Sequence, residues 1–164
     1  MELFHDSLES PIGIINVVAN DNHLLSAMFK DDIFTIPHPN SITDETISQL
    51  KEYFSKSRTI FTIPLKPEGT EFRLKVWNIL TGIGFGQLKS YKEVAIELGS
   101  ILSIRAVGTA NGANPIPIII PCHRVIGSDK NLVGYSGGLW RKKWLLEHEN
   151  AGLEGTLFDL SNID

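Results

Sequence analysis

The sequence holds a single cysteine, Cys122, in 164 residues. That scarcity excludes an intramolecular disulfide and any zinc site built from several thiolates, and it fits a reducing compartment. There is no apolar run near the ~18 residues that would suggest a membrane span, and no basic-then-apolar N-terminus of signal type. A soluble, cytoplasmic protein is therefore expected. Positive charge is also short overall: the formal net charge is −4, which by itself argues against a nucleic-acid partner.

The average hides a segregated distribution. Residues 1–70 carry ten acidic and five basic side chains, residues 71–150 carry ten basic and six acidic, and the remainder carries three acidic and none basic. An acidic first part, a basic centre and an acidic tail leave a nucleic-acid partner open for the centre alone. The expected division is an α+β support domain over residues 1–69, a chemically active domain over residues 70–150 and a tail over residues 151–164.

The first part reads as strands. Residues 2–7, the β-branched run 14–19 and residues 23–30 are separated by turn signals at Ser10-Pro11-Ile12-Gly13 and Asn20-Asp21-Asn22. Ser41 and Asp44 stand at capping-box spacing ahead of Ile47, Leu50 and Phe54, an amphipathic helix of about three turns. Residues 58–65 read as a short strand or extended exit. His5, His23 and His38 are scattered, so no metal site is expected.

The second part is helical. Thr70 is a candidate N-cap for a helix displaying Phe72, Val76, Ile79, Leu80 and Ile83. Ser90 and Glu93 form a second capping box, and Gly99 closes that short helix. A further helix starts near Ser103, giving a helix-turn-helix outline. It contains Ile104 and Val107, which can face the core. Its other residues are mostly small, with Arg105 alone among them. Gly108 and Gly112 each cost such a helix roughly 1 kcal/mol relative to alanine. They make sense where something approaches the backbone closely, either a nucleic-acid groove or a tightly packed helix.

Then comes Asn114-Pro115-Ile116-Pro117-Ile118-Ile119-Ile120-Pro121-Cys122-His123-Arg124-Val125. Its prolines fix their own φ and push the preceding residues out of the helical region, so the run is extended and stiff. Cys122 is either a small core hydrophobe or a nucleophile held at one place. Residues 126–133 read as a turn-rich loop or short hairpin, the place for a wing. Successive glycines in Gly134-Tyr135-Ser136-Gly137-Gly138 allow backbone N–H groups to face a bound group. A last helix over residues 139–150 repeats Leu139/Leu146 and Trp140/Trp144 and ends with His148 and Glu149, the latter ordinarily a solvated end charge.

Four elements in order, Arg105-Ala106-Val107-Gly108, Asn114-Pro115-Ile116-Pro117, Pro121-Cys122-His123-Arg124-Val125 and Tyr135-Ser136-Gly137-Gly138-Leu139, together resemble the O6-alkylguanine-DNA alkyltransferase family, as a stand-alone bacterial-type member. The likeness covers residues 70–149, and the first part is compatible with it. It implies a mixed α/β fold of the α+β kind: a small N-terminal antiparallel sheet with a helix, then a helical winged helix-turn-helix domain. It implies a monomer that binds double-stranded DNA containing O6-alkylguanine and needs no cofactor, metal or membrane. The flipped base, or an O4-alkylthymine, would lose its alkyl group to Cys122 in one irreversible turnover.

Carried over residue by residue, Cys122 is the acceptor, His123 takes its proton and Glu149 orients that histidine. Asn114 braces the turn leading to the cysteine loop. Tyr91 donates to the base's N3, and the Ser136 backbone N–H donates to O6. The carbonyls of Cys122 and Val125 accept from the exocyclic amine, and Tyr135 lines the pocket. Arg105 fills the stack, with Ala106, Gly108, Tyr91, Ser103 and Ser128 on the DNA side. Residues 1–69 contain no cysteine, so the N-terminal zinc of some members is not expected. Two competing readings differ at named residues. A non-reactive alkyltransferase-like protein would replace the cysteine, and a winged-helix regulator would not need Tyr91, His123 and Glu149 together.

Overall fold

The first strand signals become a three-stranded antiparallel meander, β1 (Phe4–Ser10), β2 (Gly13–Ala19) and β3 (Leu24–Lys30), in the order β1-β2-β3. The computed structural model describes residues 1–100, 103–127 and 134–151, in two compact units, Met1–Glu68 and Gly69–Asp164. In the first unit, alternation along β2 buries Ile15, Val17 and Ala19 on one face, opposite Leu8 of β1 and Ala27 of β3. Helix α1 (Ser41–Phe54) packs on this sheet.

The start of α1 differs by one residue from the expected cap. Asn40, not Ser41, is the N-cap: its side chain accepts from Thr43 N at 2.9 Å, and Thr43 Oγ1 accepts from Asn40 N at 2.9 Å. Asn40 also donates to Asn20 O, and that tie fixes where the helix begins. The buried stripe shifts likewise, to Thr43, Thr46, Gln49, Leu50 and Tyr53, with Ile47 and Phe54 at its margin. Residues 58–65 form no strand beyond an isolated bridge from Leu65 to Leu24. The buried Gln49 side chain instead accepts from Thr62 N and donates to Thr62 Oγ1.

The second unit opens with α2 (Glu71–Thr81), capped by Thr70. A two-residue strand β4 (Lys89–Ser90) leads into α3 (Tyr91–Glu97), whose Ser90/Glu93 capping box is complete. Gly99 follows at φ +93°, and the second helix of the pair is α4 (Ile104–Gly112). Val107, Ala110 and Asn111 form its buried face, while Ile104, expected inside, is 37% exposed. Helix α4 packs against α2 and α3; residue 104 stands at i−3 from 107 and i−7 from 111, on the same side, but as the first residue of the helix it lies at the open end of that stripe. Trp77 of α2 closes the contact by donating from Nε1 to Ala110 O at 2.8 Å. A Cβ on Gly69 would lie 2.6 Å from that indole, so residue 69 has no room for a side chain.

From α4 the chain passes through the proline-rich run to a 3-10 turn (Cys122–Arg124) and strand β5 (Val125–Ile126), which pairs parallel to β4. Ile118 within the run sits at φ +72°, an unusual conformation for a β-branched residue. Helix α5 (Leu139–His148) begins after Gly138 at φ +94° and ends two residues short of the expected 150. Trp140 is 46% exposed, off the buried face of Lys142, Leu145, Leu146 and His148. The expected wing lies mainly, and the acidic tail beyond residue 151 wholly, outside the described residues. No helix among the described residues is long and apolar enough to cross a membrane.

The Trp77 contact yields a stability prediction. Trp77→Phe should destabilise the protein by roughly 1–3 kcal/mol, from one lost buried hydrogen bond plus a partly filled cavity. Urea unfolding curves of the two proteins check it, and coincident midpoints would deny the indole its bridging role.

Candidate active site

The parallel β4–β5 pairing matches Lys89 with Val125 and Ser90 with Ile126. It stitches the start of α3, where Tyr91 sits, to the residues just after the cysteine. Ahead of the cysteine, Asn114 is buried and acts as a staple. Its Nδ2 donates to Ile120 O at 2.7 Å, and its Oδ1 accepts from Ile116 N at 2.9 Å. Two backbone bonds, Ile120 N to Ile116 O and Cys122 N to Ile120 O, complete the loop. The thiol is 2% exposed.

His123 is wholly buried, and its Nε2 lies 2.7 Å from Glu149 Oε2. An ionised carboxylate only accepts, so Nε2 carries the proton and Nδ1 keeps a lone pair. Nδ1 has no hydrogen-bond partner among the described residues. Glu149 is no solvated end charge. Its carboxylate is fully buried and also accepts from Gly86 N at 3.1 Å and from Arg124 Nε and Nη2 at 2.9 and 3.0 Å.

Three participants in this network carried no sequence-based assignment. Arg124 follows the Cys-His pair directly, yet the sequence alone does not say that it turns inward. Lys142 falls at i+3 from Leu139 and i−4 from Leu146, on the apolar face of α5, which was the available signal. Its exposure is 0%, and its Nζ donates to Val125 O at 2.6 Å. Asn111 falls at i+4 from Val107 and donates to Cys122 O at 3.2 Å. Of the two carbonyls expected to accept from a guanine amine, that of Cys122 already accepts from Asn111 Nδ2 and from the Val125 N–H, and that of Val125 accepts from Lys142.

Burial and charge set the protonation states. Burial pushes the Cys122 thiol up, partly offset by a hydrogen bond from Asn114 and the charge of Lys142. Burial pushes His123 down; Glu149 opposes this, while Arg124 and Lys142 add to it. For Glu149 burial alone would raise the pKa, but His123 and Arg124 hold it well below the usual carboxylate range. Burial lowers Lys142 to about 8 against the pull of Cys122. Burial and Cys122 raise Tyr91 to about 12, opposed by Asn111, so its hydroxyl stays a donor. The resting site is a thiol beside a neutral imidazole, with an ammonium nearby to balance a thiolate.

The other expected residues divide into two groups. Tyr91, half-buried, reaches toward Gly134 O at 3.5 Å, and its ring centre lies 5.8 Å from Lys142 Nζ. Val125 is buried, Tyr135 has a buried hydroxyl with no partner among the described residues, and Ser136 is exposed. Arg105 and Ala106 are exposed on α4, with Gly108 partly so. Ser103 precedes α4 without capping it, its hydroxyl donating to Ser100 O. Ser128 lies outside the described residues. A Cβ on Gly108 or Gly112 would meet nothing within 4 Å, so packing inside the protein does not require either glycine. No group of three or more His, Cys, Asp or Glu among the described residues is placed to hold a metal ion.

Lys142 makes stability depend on pH. Its folded pKa of about 8 lies below the ordinary lysine value of ~10.4. Between the two the unfolded chain binds more protons, so stability rises with pH across that window. Relative to Lys142→Met, the wild type should gain stability between pH 7 and pH 10 in denaturant unfolding. A constant difference between the two proteins would mean that Lys142 titrates normally.

Comparison with known proteins places this arrangement. Residues 71–151 match the family model described as 6-O-methylguanine DNA methyltransferase, DNA binding domain. Residues 3–67 match the ribonuclease-like domain of the same name. A methylated-DNA–protein-cysteine methyltransferase of Methanosarcina barkeri is 42% identical over 157 residues, covering 92% of this chain and 99% of the relative. The crystal structure of the Mycobacterium tuberculosis O6-methylguanine methyltransferase superposes with a TM-score of 0.82 at 37% identity, over 90% of this chain and 93% of that one. A Mycobacterium tuberculosis structure in complex with DNA matches with a TM-score of 0.80 at 38% identity, over 94% and 99% of the two chains. With a buried Cys-His-Glu arrangement on this fold, the chain belongs to the methylated-DNA–protein-cysteine methyltransferase family.

Proposed function

We propose that this protein repairs DNA directly, as a cytoplasmic monomer. It binds duplex DNA, turns an O6-alkylguanine or O4-alkylthymine out of the stack and moves the alkyl group irreversibly onto Cys122, once per chain. The observation that carries the reading is the buried Cys122-His123-Glu149 arrangement with His123 Nδ1 left basic. Displacement at an sp3 carbon needs a soft nucleophile, and thiolate is the best a side chain supplies.

Cys122 gives its proton to His123 Nδ1, directly or through a water. The thiolate attacks the alkyl carbon, so that the S–C bond forms as the C–O6 bond breaks. Charge left on guanine is met by a proton from Tyr91 at N3 and a hydrogen bond from the Ser136 N–H to O6. The proton held by His123 then restores Tyr91. Lys142 balances the thiolate as it forms, and a low-dielectric pocket strengthens that attraction. Glu149 keeps His123 in the tautomer that exposes Nδ1, and Asn114 holds the loop that presents Cys122. Val125 and Tyr135 bound the base.

On the DNA side α4 lies in the minor groove, with Arg105 in the stack left by the flipped base. Ser103, Ala106, Gly108 and Tyr91 lie alongside, and the resemblance adds Ser128. The open space over Gly108 and Gly112 supports this placement, since small residues there serve an outside surface. A thioether is not reversed by ordinary redox chemistry, so each molecule acts once.

Incubation with duplex DNA carrying O6-methylguanine labelled in the methyl group should move one label per protein onto Cys122, located by peptide mass. Cys122→Ser should bind and transfer nothing. Label released as methanol would end the reading. Arg105→Ala should slow repair in duplex roughly tenfold or more, because filling the stack offsets an unstacking cost of a few kcal/mol. Its reaction with free O6-benzylguanine should stay near wild type, and equal losses on both substrates would remove the stack-filling role.

A further inference from the structure

We propose that Arg124 is a positioning residue for the transfer: it locks Glu149 in one fully engaged, ionised orientation and so keeps His123 neutral and basic at Nδ1. The proposal rests on the Cys122 transfer reading and adds to it the control of the base.

Glu149 has about four lone-pair directions, and Gly86, His123 and Arg124 among the described residues bring four donor atoms to them. Gly86 N and Arg124 Nε meet Oε1 at 3.1 and 2.9 Å, while His123 Nε2 and Arg124 Nη2 meet Oε2 at 2.7 and 3.0 Å. The guanidinium is fixed in turn. Its Nη1 donates to Ile83 O at 2.6 Å, and its centre lies 5.9 Å from the Phe85 ring. A bidentate fork of this kind fixes both the rotation and the charge of the carboxylate. Lysine carries the charge without the fork.

The charges around His123 show why this matters to the reaction. From α5 and its C-cap come Lys142 and Glu149, and from its own turn come Arg124 and Cys122. Glu149 is the only one of these that favours imidazolium. Arg124 offsets it across two hydrogen bonds, so the histidine feels an oriented but largely balanced carboxylate. Without Arg124, the whole negative charge would act on His123 and favour the protonated ring. An imidazolium has no lone pair left to take the Cys122 proton.

The test is the pH profile of single-turnover methyl transfer, with saturating protein and a duplex carrying labelled O6-methylguanine. For Arg124→Met the acid limb should move up by about one unit or more, as expected for a histidine with an unbalanced carboxylate neighbour. Arg124→Lys should return most of that shift while recovering only part of the rate. A rate lowered equally at every pH, with the limb unmoved, would overturn the proposal and leave Arg124 a structural role. If Arg124→Met fails to fold by circular dichroism, NMR of histidine-15N-labelled wild type decides. A neutral His123 protonated at Nε2 at pH 7 supports the proposal, and an imidazolium there overturns it. Wild type that transfers no methyl at all would instead count against the Cys122 reading itself.

Discussion

One buried carboxylate organises the second unit. Glu149 closes α5, yet its oxygens are claimed by the backbone of residue 86, by the 3-10 turn at His123 and by Arg124, which reaches on to Ile83 O just after α2. Three stretches distant in sequence are thereby held to a single anion. Removing one partner of such a pair would leave a charge without compensation in a low-dielectric interior, at a cost of about 3–5 kcal/mol. The same feature that makes the site expensive to build gives the imidazole beside the nucleophile one orientation.

The loop carrying the cysteine is fixed from its other end by different means. Asn114 bonds to residues 116 and 120, and the prolines limit what the chain between can do. Buried isoleucines anchor the run, with Ile118 held at a φ that its side chain disfavours. Strain of this kind costs of order 1–3 kcal/mol and persists only where the surroundings over-determine the backbone. Rigidity at Asn114 and rigidity at Glu149 bracket the thiol, so Cys122 is placed without any secondary structure of its own beyond one tight turn.

The electrostatics follow from that placement. A buried thiol resists ionisation, and Lys142 with Asn114 recovers part of the penalty. Lys142 itself is depressed by burial, which suits a cation meant to answer a transient negative charge. On the side of the unit proposed to face DNA, α4 buries Val107, Ala110 and Asn111 and leaves Gly108 and Gly112 with open space above them. Asn111 belongs to both sides, since it lies on the helix that would meet DNA and donates to the carbonyl of Cys122.

Much of this was legible from local pattern. A β-branched run and the turn signals beside it marked the three strands, the Thr70 cap and the Ser90/Glu93 box marked two helix starts, and the lone cysteine with its histidine marked the chemistry. These signals depend on residues near one another in sequence, where propensity and spacing act directly. Three things depended on tertiary packing. Asn40 displaced Ser41 as a cap because its side chain also reaches Asn20. Ile104 stayed partly exposed because it opens α4, at the end of the stripe that 107, 110 and 111 bury. Arg124 and Lys142, charged residues that composition assigns to the surface, were buried because partners from distant segments satisfy them: the Glu149 carboxylate for one and the Val125 carbonyl for the other. A sequence can name a nucleophile and its neighbour; which charges surround them is decided only when remote segments close over the same pocket.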